Sequence, residues 1–190
     1  MKNQNLYIVA GCNGAGKTTA SYSILPTILA CKEFVNADEI AKGLSPFQPE
    51  KVSFEAGRIM LHRIDELLQK KVDFAFETTL ATKSFAQTVR EAQQQNYTVT
   101  LLFFWLNSVE LAKKRVSLRV SEGGHDIPQE VIERRYQRGL KNLFEIYLPI
   151  CDNVLLFDNS NNVPNLIFKK VENETIQIID NQLFNLIKNG

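Results

Sequence analysis

An α/β domain with a mostly parallel sheet is the fold class the sequence predicts, and three observations predict it. Short apolar runs recur along the 190 residues, separated by stretches of helical periodicity, which is the alternation of a doubly wound sheet. One of them, residues 98–106, is apolar without the alternation of a half-exposed strand, as expected of a strand covered on both faces. The first run leads into Gly11-Cys12-Asn13-Gly14-Ala15-Gly16-Lys17-Thr18-Thr19, which is Gly-x-x-x-x-Gly-Lys-Thr between a strand and a helix, the arrangement of a phosphate-binding P-loop.

Each element follows from its own pattern. Residues 6–10 are rich in strand formers and make the first strand. The helix after the loop runs over 18–29 and is interrupted by Pro26. A short second strand begins at Phe34 and its end carries Asp38, after which 46–49 is a loop. Residues 51–70 place Val52, Phe54, Ile59, Met60, Ile64, Leu67 and Leu68 at mostly helical spacing. The third strand, 72–76, ends in Glu77-Thr78-Thr79-Leu80, and helix 84–95 follows with Ser84 as its expected cap. After the fourth strand, 98–106, comes a basic helix over 109–120, a turn with Gly123-Gly124, and a helix that Pro128 starts and that runs to about Tyr147. The fifth strand, 154–157, closes in Asp158-Asn159-Ser160. Residues 166–171 and 175–179 read as a hairpin turning at Glu172-Asn173-Glu174, before a last short helix. Residues 1–190 are expected to form one domain, with a helical lid over about 115–140.

The chemistry gathers at strand ends, where open parallel sheets bind ligands. Gly11, Asn13, Gly14, Ala15, Gly16, Lys17, Thr18 and Thr19 are expected to cradle the phosphates of a nucleotide: glycine allows backbone N–H groups to turn inward, and the next helix adds its N-terminal dipole. Lys17 should reach the β- and γ-phosphates, and the Thr18 hydroxyl should ligate Mg²⁺. Asp38 is placed to orient an acceptor hydroxyl and take its proton, with helix capping as the plainer alternative. Glu77 and Thr79 are expected on the substrate side, Glu77 having the alternatives of holding Mg²⁺ through water or capping a helix. Asn159, in the turn after the fifth strand, is expected beside the nucleotide base, with a plain polar turn as the equal alternative. Arg115, Arg119, Arg134, Arg135 and Arg138 flank the diglycine, where guanidinium forks suit a γ-phosphate; Arg119 and Arg134 are the expected clamp because they stand nearest the hinge. His125 is expected to be a turn residue.

Bulk properties narrow the setting. Hydrophobic residues make up 44% and charged residues 23%, an ordinary globular balance, and the net charge of +1 gives no support to a nucleic-acid or membrane-surface footprint. Three cysteines, Cys12, Cys31 and Cys151, show neither a disulfide framework nor zinc spacing. With no apolar run able to span a bilayer and no signal-peptide pattern, a reduced cytoplasmic setting is the expectation.

Taken together, Gly11 to Thr19, Asn36-Ala37-Asp38-Glu39-Ile40-Ala41, Phe76-Glu77-Thr78-Thr79-Leu80, the stretch from Arg119 to Arg138 with Gly123-Gly124-His125-Asp126-Ile127-Pro128, and Asp158-Asn159-Ser160 resemble the zeta-toxin family of P-loop kinases, in the bacterial group described as predicted ATPases of zeta-toxin type. The loop has Asn13 and Ala15 where zeta toxins tend to have proline and serine. The resemblance implies a nucleoside-monophosphate-kinase-like fold using ATP and Mg²⁺. It implies Asp38 as catalytic base, Glu77 and Thr79 on the substrate side, and lid arginines on the γ-phosphate. Zeta toxins phosphorylate the 3′-hydroxyl of the sugar in UDP-N-acetylglucosamine, and an antitoxin blocks their nucleotide site. The expected activity is therefore transfer of the γ-phosphate of ATP to a hydroxyl of a small molecule, a UDP-activated amino sugar leading, with a possible antitoxin as partner. A nucleoside or polynucleotide 5′-hydroxyl kinase and a slow ATPase switch acting through a protein partner are the alternatives.

Overall fold

The computed structural model describes residues 4–124, 126–161, 163–172 and 176–189. Among them seven strands form one sheet: β1 (Gln4–Ala10), β2 (Glu33–Val35), β3 (Phe74–Thr78), β4 (Tyr97–Trp105), β5 (Asn153–Asp158), β6 (Asn165–Lys170) and β7 (Gln177–Ile178). Their spatial order is β2-β3-β1-β4-β5-β6-β7. The first five are parallel and the last two antiparallel. The parallel sheet is the expected one, and a C-terminal antiparallel pair extends it. The turn residues expected between that pair, Asn173 and Glu174, lie outside the described residues, as does His125.

The helices are α1 (Lys17–Thr27), α2 (Ala37–Leu44), α3 (Ser53–Lys70), α4 (Phe85–Gln94), α5 (Val109–Ser121), α6 (Gln129–Asn142), α7 (Leu148–Ile150) and α8 (Asn181–Asn189). A 3₁₀ turn, Pro49–Val52, leads into α3, and a π-helical turn, Leu143–Tyr147, joins α6 to α7, so the long helix expected from Pro128 changes pitch near its end. Burial explains the layers. In β1, Leu6, Ile8 and Ala10 face one layer of core with Phe74, Phe76, Met60, Ile64 and Phe184, while Tyr7 and Val9 face another with Phe104, Leu25, Ala112 and Val116. The central strands are covered on both faces, which is why they read as continuous apolar runs.

Register sets the working edge. Val9 pairs with Glu77 and Ala10 with Thr78, while Val35 pairs with Phe76. The glycine loop, Glu77 and Asn36 therefore leave the sheet side by side. Two caps differ from expectation. Asn36, not Asp38, caps α2: its Oδ1 accepts from the backbone N–H of Asp38 at 2.8 Å and of Glu39 at 3.4 Å. Ser84 makes no capping bond; its hydroxyl meets that of Thr82 at 2.9 Å. The cysteines are free and buried.

Candidate active site

The glycine loop is fixed by close approach and by side chains beneath it. Gly11 has φ 142°, and a Cβ there would stand 2.3 Å from the carbonyl oxygen of Phe104, so no other residue fits. From below, the Asn159 amide donates to the Ala15 carbonyl at 2.8 Å. The Arg115 guanidinium donates to the carbonyls of Asn159 at 3.0 Å and Ser160 at 2.8 Å, with Gly14 O at 3.5 Å. The end of β5 is thereby strapped to the loop. This corrects the expected place of Asn159: it is buried under the loop as a brace, because its side chain meets a peptide carbonyl rather than open space.

Above the loop, Glu77 is the hub. Lys17 is buried, donates to the Cys12 carbonyl at 3.0 Å, and pairs with Glu77 Oε1 at 3.3 Å. Glu77 Oε2 accepts from the Thr18 hydroxyl at 2.8 Å and from the Asn36 amide at 3.0 Å. The expected helix-capping alternative for Glu77 does not occur; its carboxylate is spent on the loop. Burial pushes the thiol of Cys12 up to about 11, Lys17 opposing the shift, so this loop cysteine stays protonated near neutral pH.

Two cavities meet over this hub. One, about 210 Å³, is lined by the loop residues Asn13, Gly14 and Gly16 to Thr19 and reaches Arg115 and Arg119. The other, about 320 Å³, lies between α2, α3 and the 77–85 segment and reaches Arg135. Asn13, Lys17, Asp38 and Glu77 line both, so Asp38 stands in the wall the two share. Thr79 lines the second. Of the arginines, Arg119 lines the first cavity, Arg115 holds the loop, and Arg134 and Arg138 are exposed.

Arg135, rather than Arg134, is the α6 arginine against the site. Its Nη1 donates to Asn13 Oδ1 at 3.1 Å. Burial pushes its pKa below the ordinary value, and the Asp38 charge counteracts part of that. The cause of its placement is the face of α6. Ile132, Arg135, Gly139 and Asn142 follow at spacings of three and four, so they share one face. A Cβ on Gly139 would stand 2.6 Å from the Thr79 carbonyl, and the Asn142 amide donates to the Leu80 carbonyl at 2.8 Å. That face is pressed along residues 79–82, and Arg134 points away. The spacing was the sequence signal that would have found Arg135. Lys113 of α5 meets Glu133 of α6 at 3.0 Å, which ties the two helices flanking the diglycine.

The donor set fits Mg²⁺. The Thr18 hydroxyl and the Glu77 carboxylate are hard oxygen donors already in contact, and among the described residues no group of three or more His, Cys, Asp or Glu forms a closed cage. A few protein oxygens completed by phosphate and water is the usual environment of this ion. No helix among the described residues is long and apolar enough to cross a membrane.

With the loop, hub and cavities in place, the family model for zeta toxin matches residues 2–166. The chain belongs to the zeta toxin family. An uncharacterized protein of Haemophilus influenzae is 27% identical over 136 residues, covering 72% of this chain and 94% of that protein. The crystal structure of AvrRxo1-ORF1:-ORF2 with ATP superposes with a TM-score of 0.79 at 16% identity, covering 97% of this chain but 63% of that one. The PezAT chromosomal toxin–antitoxin system of Streptococcus pneumoniae gives 0.69 at 16% identity, covering 100% and 86%. This zeta toxin family member thus spans under two thirds of the AvrRxo1 chain. The fold is the one shared with these structures.

Proposed function

We propose that this zeta toxin family member is an ATP-dependent kinase that transfers the γ-phosphate to a hydroxyl of a small molecule. One observation carries the reading: a carboxylate, Asp38, in the wall shared by a phosphate-cradling cavity and a second cavity of acceptor size. Gly11 to Thr19 and Lys17 hold the β- and γ-phosphates, which take over from Glu77 as partners of Lys17. Thr18 and Glu77 would hold Mg²⁺, which would neutralise phosphate charge there. Asp38 accepts the proton of the acceptor hydroxyl as its oxygen bonds to the γ-phosphorus and ADP leaves. Arg119 and Arg135 approach the γ-phosphate from α5 and α6, in the place expected of Arg119 and Arg134, and steady the charge that develops on it. The diglycine between those helices is the hinge of a lid that closes over ATP.

A UDP-activated amino sugar is the acceptor that the family resemblance favours, and the complexes formed by PezAT and AvrRxo1-ORF1 support a protein antitoxin as partner. The test is transfer of label from γ-labelled ATP to a panel of UDP-sugars, sugars, nucleosides and nucleic-acid ends. A kinase labels at least one small acceptor. ATP turnover that stays low with every acceptor and rises only when a protein partner is added would instead establish the nucleotide switch.

A further inference from the structure

The glycine loop holds a buried amide whose partner lies on another element. Asn13 is 5% exposed. Its Oδ1 accepts from Arg135 Nη1 at 3.1 Å, a contact that joins the loop to α6 across 122 residues of chain. A guanidinium carries donors only, so the amide oxygen is the end that faces it. Asn13 lines both cavities and Arg135 lines the second, so the contact stands where the two meet.

The neutrality of this partner is informative. Lys17, the buried cation of the loop, is paired with the Glu77 carboxylate at 3.3 Å. Arg135 has no carboxylate within ion-pair distance among the described residues, although Asp38 lines the same cavity. A carboxylate in place of Asn13 would hold the guanidinium, but it would also neutralise it and repel a nucleotide phosphate. Alanine there would offer no side-chain acceptor at all. An amide orients the guanidinium and leaves its charge free to act. The other anchors of α6 set the helix and not this side chain. Gly139 and Asn142 fix its C-terminal half against the carbonyls of Thr79 and Leu80, and Ile132 is buried in its first half. A long arginine side chain keeps its rotamer freedom on a fixed helix unless its head is held.

We propose that Asn13 is a positioning residue: it aims Arg135 at the γ-phosphate before transfer and, being neutral, leaves the guanidinium charge for that phosphate. The proposal rests on the kinase reading and on Arg135 as a clamp, and it adds the group that aims the clamp.

The full chain is given γ-labelled ATP and Mg²⁺, and transfer of label to UDP-N-acetylglucosamine and to water is followed in a single turnover, with ATP affinity from calorimetry. Water needs no identified acceptor. Asn13→Ala should slow transfer by about tenfold or more, the scale of a misplaced catalytic group. Its ATP affinity should change by under about threefold, because the aimed contact strengthens in the transition state. In an Arg135→Ala chain the same substitution should cost under about twofold in rate, since nothing is left to aim. Asn13→Asp keeps an acceptor for Arg135, so it should transfer faster than Asn13→Ala from bound ATP while binding ATP about tenfold more weakly. Equal losses from Asn13→Ala in both backgrounds would mark a loop disturbed for other reasons and overturn the proposal. So would a wild-type rate in Asn13→Ala when Arg135→Ala is slow, and either result leaves the clamp and the kinase standing. Wild-type ATP affinity in Asn13→Asp overturns the part played by neutrality. A wild-type rate in Arg135→Ala overturns the clamp and the proposal together. Label passed to neither acceptor by the wild-type chain, with ATP bound, overturns the kinase reading as well.

Discussion

The two halves of the site are built differently. Around the glycine loop the side chains are held by the protein: Asn159 holds Ala15, Arg115 holds Asn159 and Ser160, and Glu77 holds Lys17, Thr18 and Asn36. Across the shared wall, Asp38 accepts no side-chain hydrogen bond or ion pair among the described residues, and Thr79 faces the cavity. Groups that must hold a constant ligand are worth fixing in advance, because preorganised donors cost no rearrangement when charge arrives. Groups that must accept a changing partner are left open. The comparison predicts that substitutions on the loop side fail in ATP binding, whereas those on the acceptor side fail in transfer.

The largest effect comes from the hub. Lys17→Ala removes the buried cation of the loop and should abolish ATP binding and turnover, as titration calorimetry would show. Wild-type affinity in that variant would break the comparison on its better-built side.

The lid sharpens it next. Arg135→Ala should lower transfer by about 10²-fold or more with a smaller loss of ATP affinity, since removing one donor from a developing charge costs on that scale. Arg134→Ala, on the exposed face, should leave the rate alone and change stability by under about 0.5 kcal/mol. Single-turnover kinetics of the two variants decide between them, and equal rates would remove Arg135 from the site.

Smaller effects lie in the braces. Asn159→Ala leaves the Ala15 carbonyl without its buried donor and should cost about 1–3 kcal/mol in denaturant unfolding. Asn36→Ala removes the cap of α2 and one partner of Glu77, at about 1 kcal/mol for the cap. If neither variant is less stable than the parent, the loop side is not held as described.

Contiguous information was legible in the sequence and relational information was not. The glycine loop and the strands that carry Asp38 and Glu77 to its side could be read because each depends on neighbours in the chain. Asn36 and Asp38 are two residues apart and both are good caps; only the end of β2 beside β3 decides that Asn36 caps α2 and Asp38 lines the cavities. Arg134 and Arg135 differ by about 100° around a helix, and what selects Arg135 is the contact of Gly139 with Thr79, far away in sequence. Asn159 has the composition of a ligand-binding turn, yet the strand pairing of β4 with β5 carries it beneath the loop, its backbone N–H donating to Trp105 O at 2.9 Å.

The central claim is that Asp38 serves the acceptor and not the nucleotide. Its most direct test is to measure, on Asp38→Asn, both ATP affinity by calorimetry and single-turnover transfer of labelled phosphate to the best acceptor found. The account predicts affinity near wild type with transfer lowered by about 10²–10⁴-fold, the range of a lost general base. Transfer at near wild-type rate, or a loss confined to ATP binding, would contradict it.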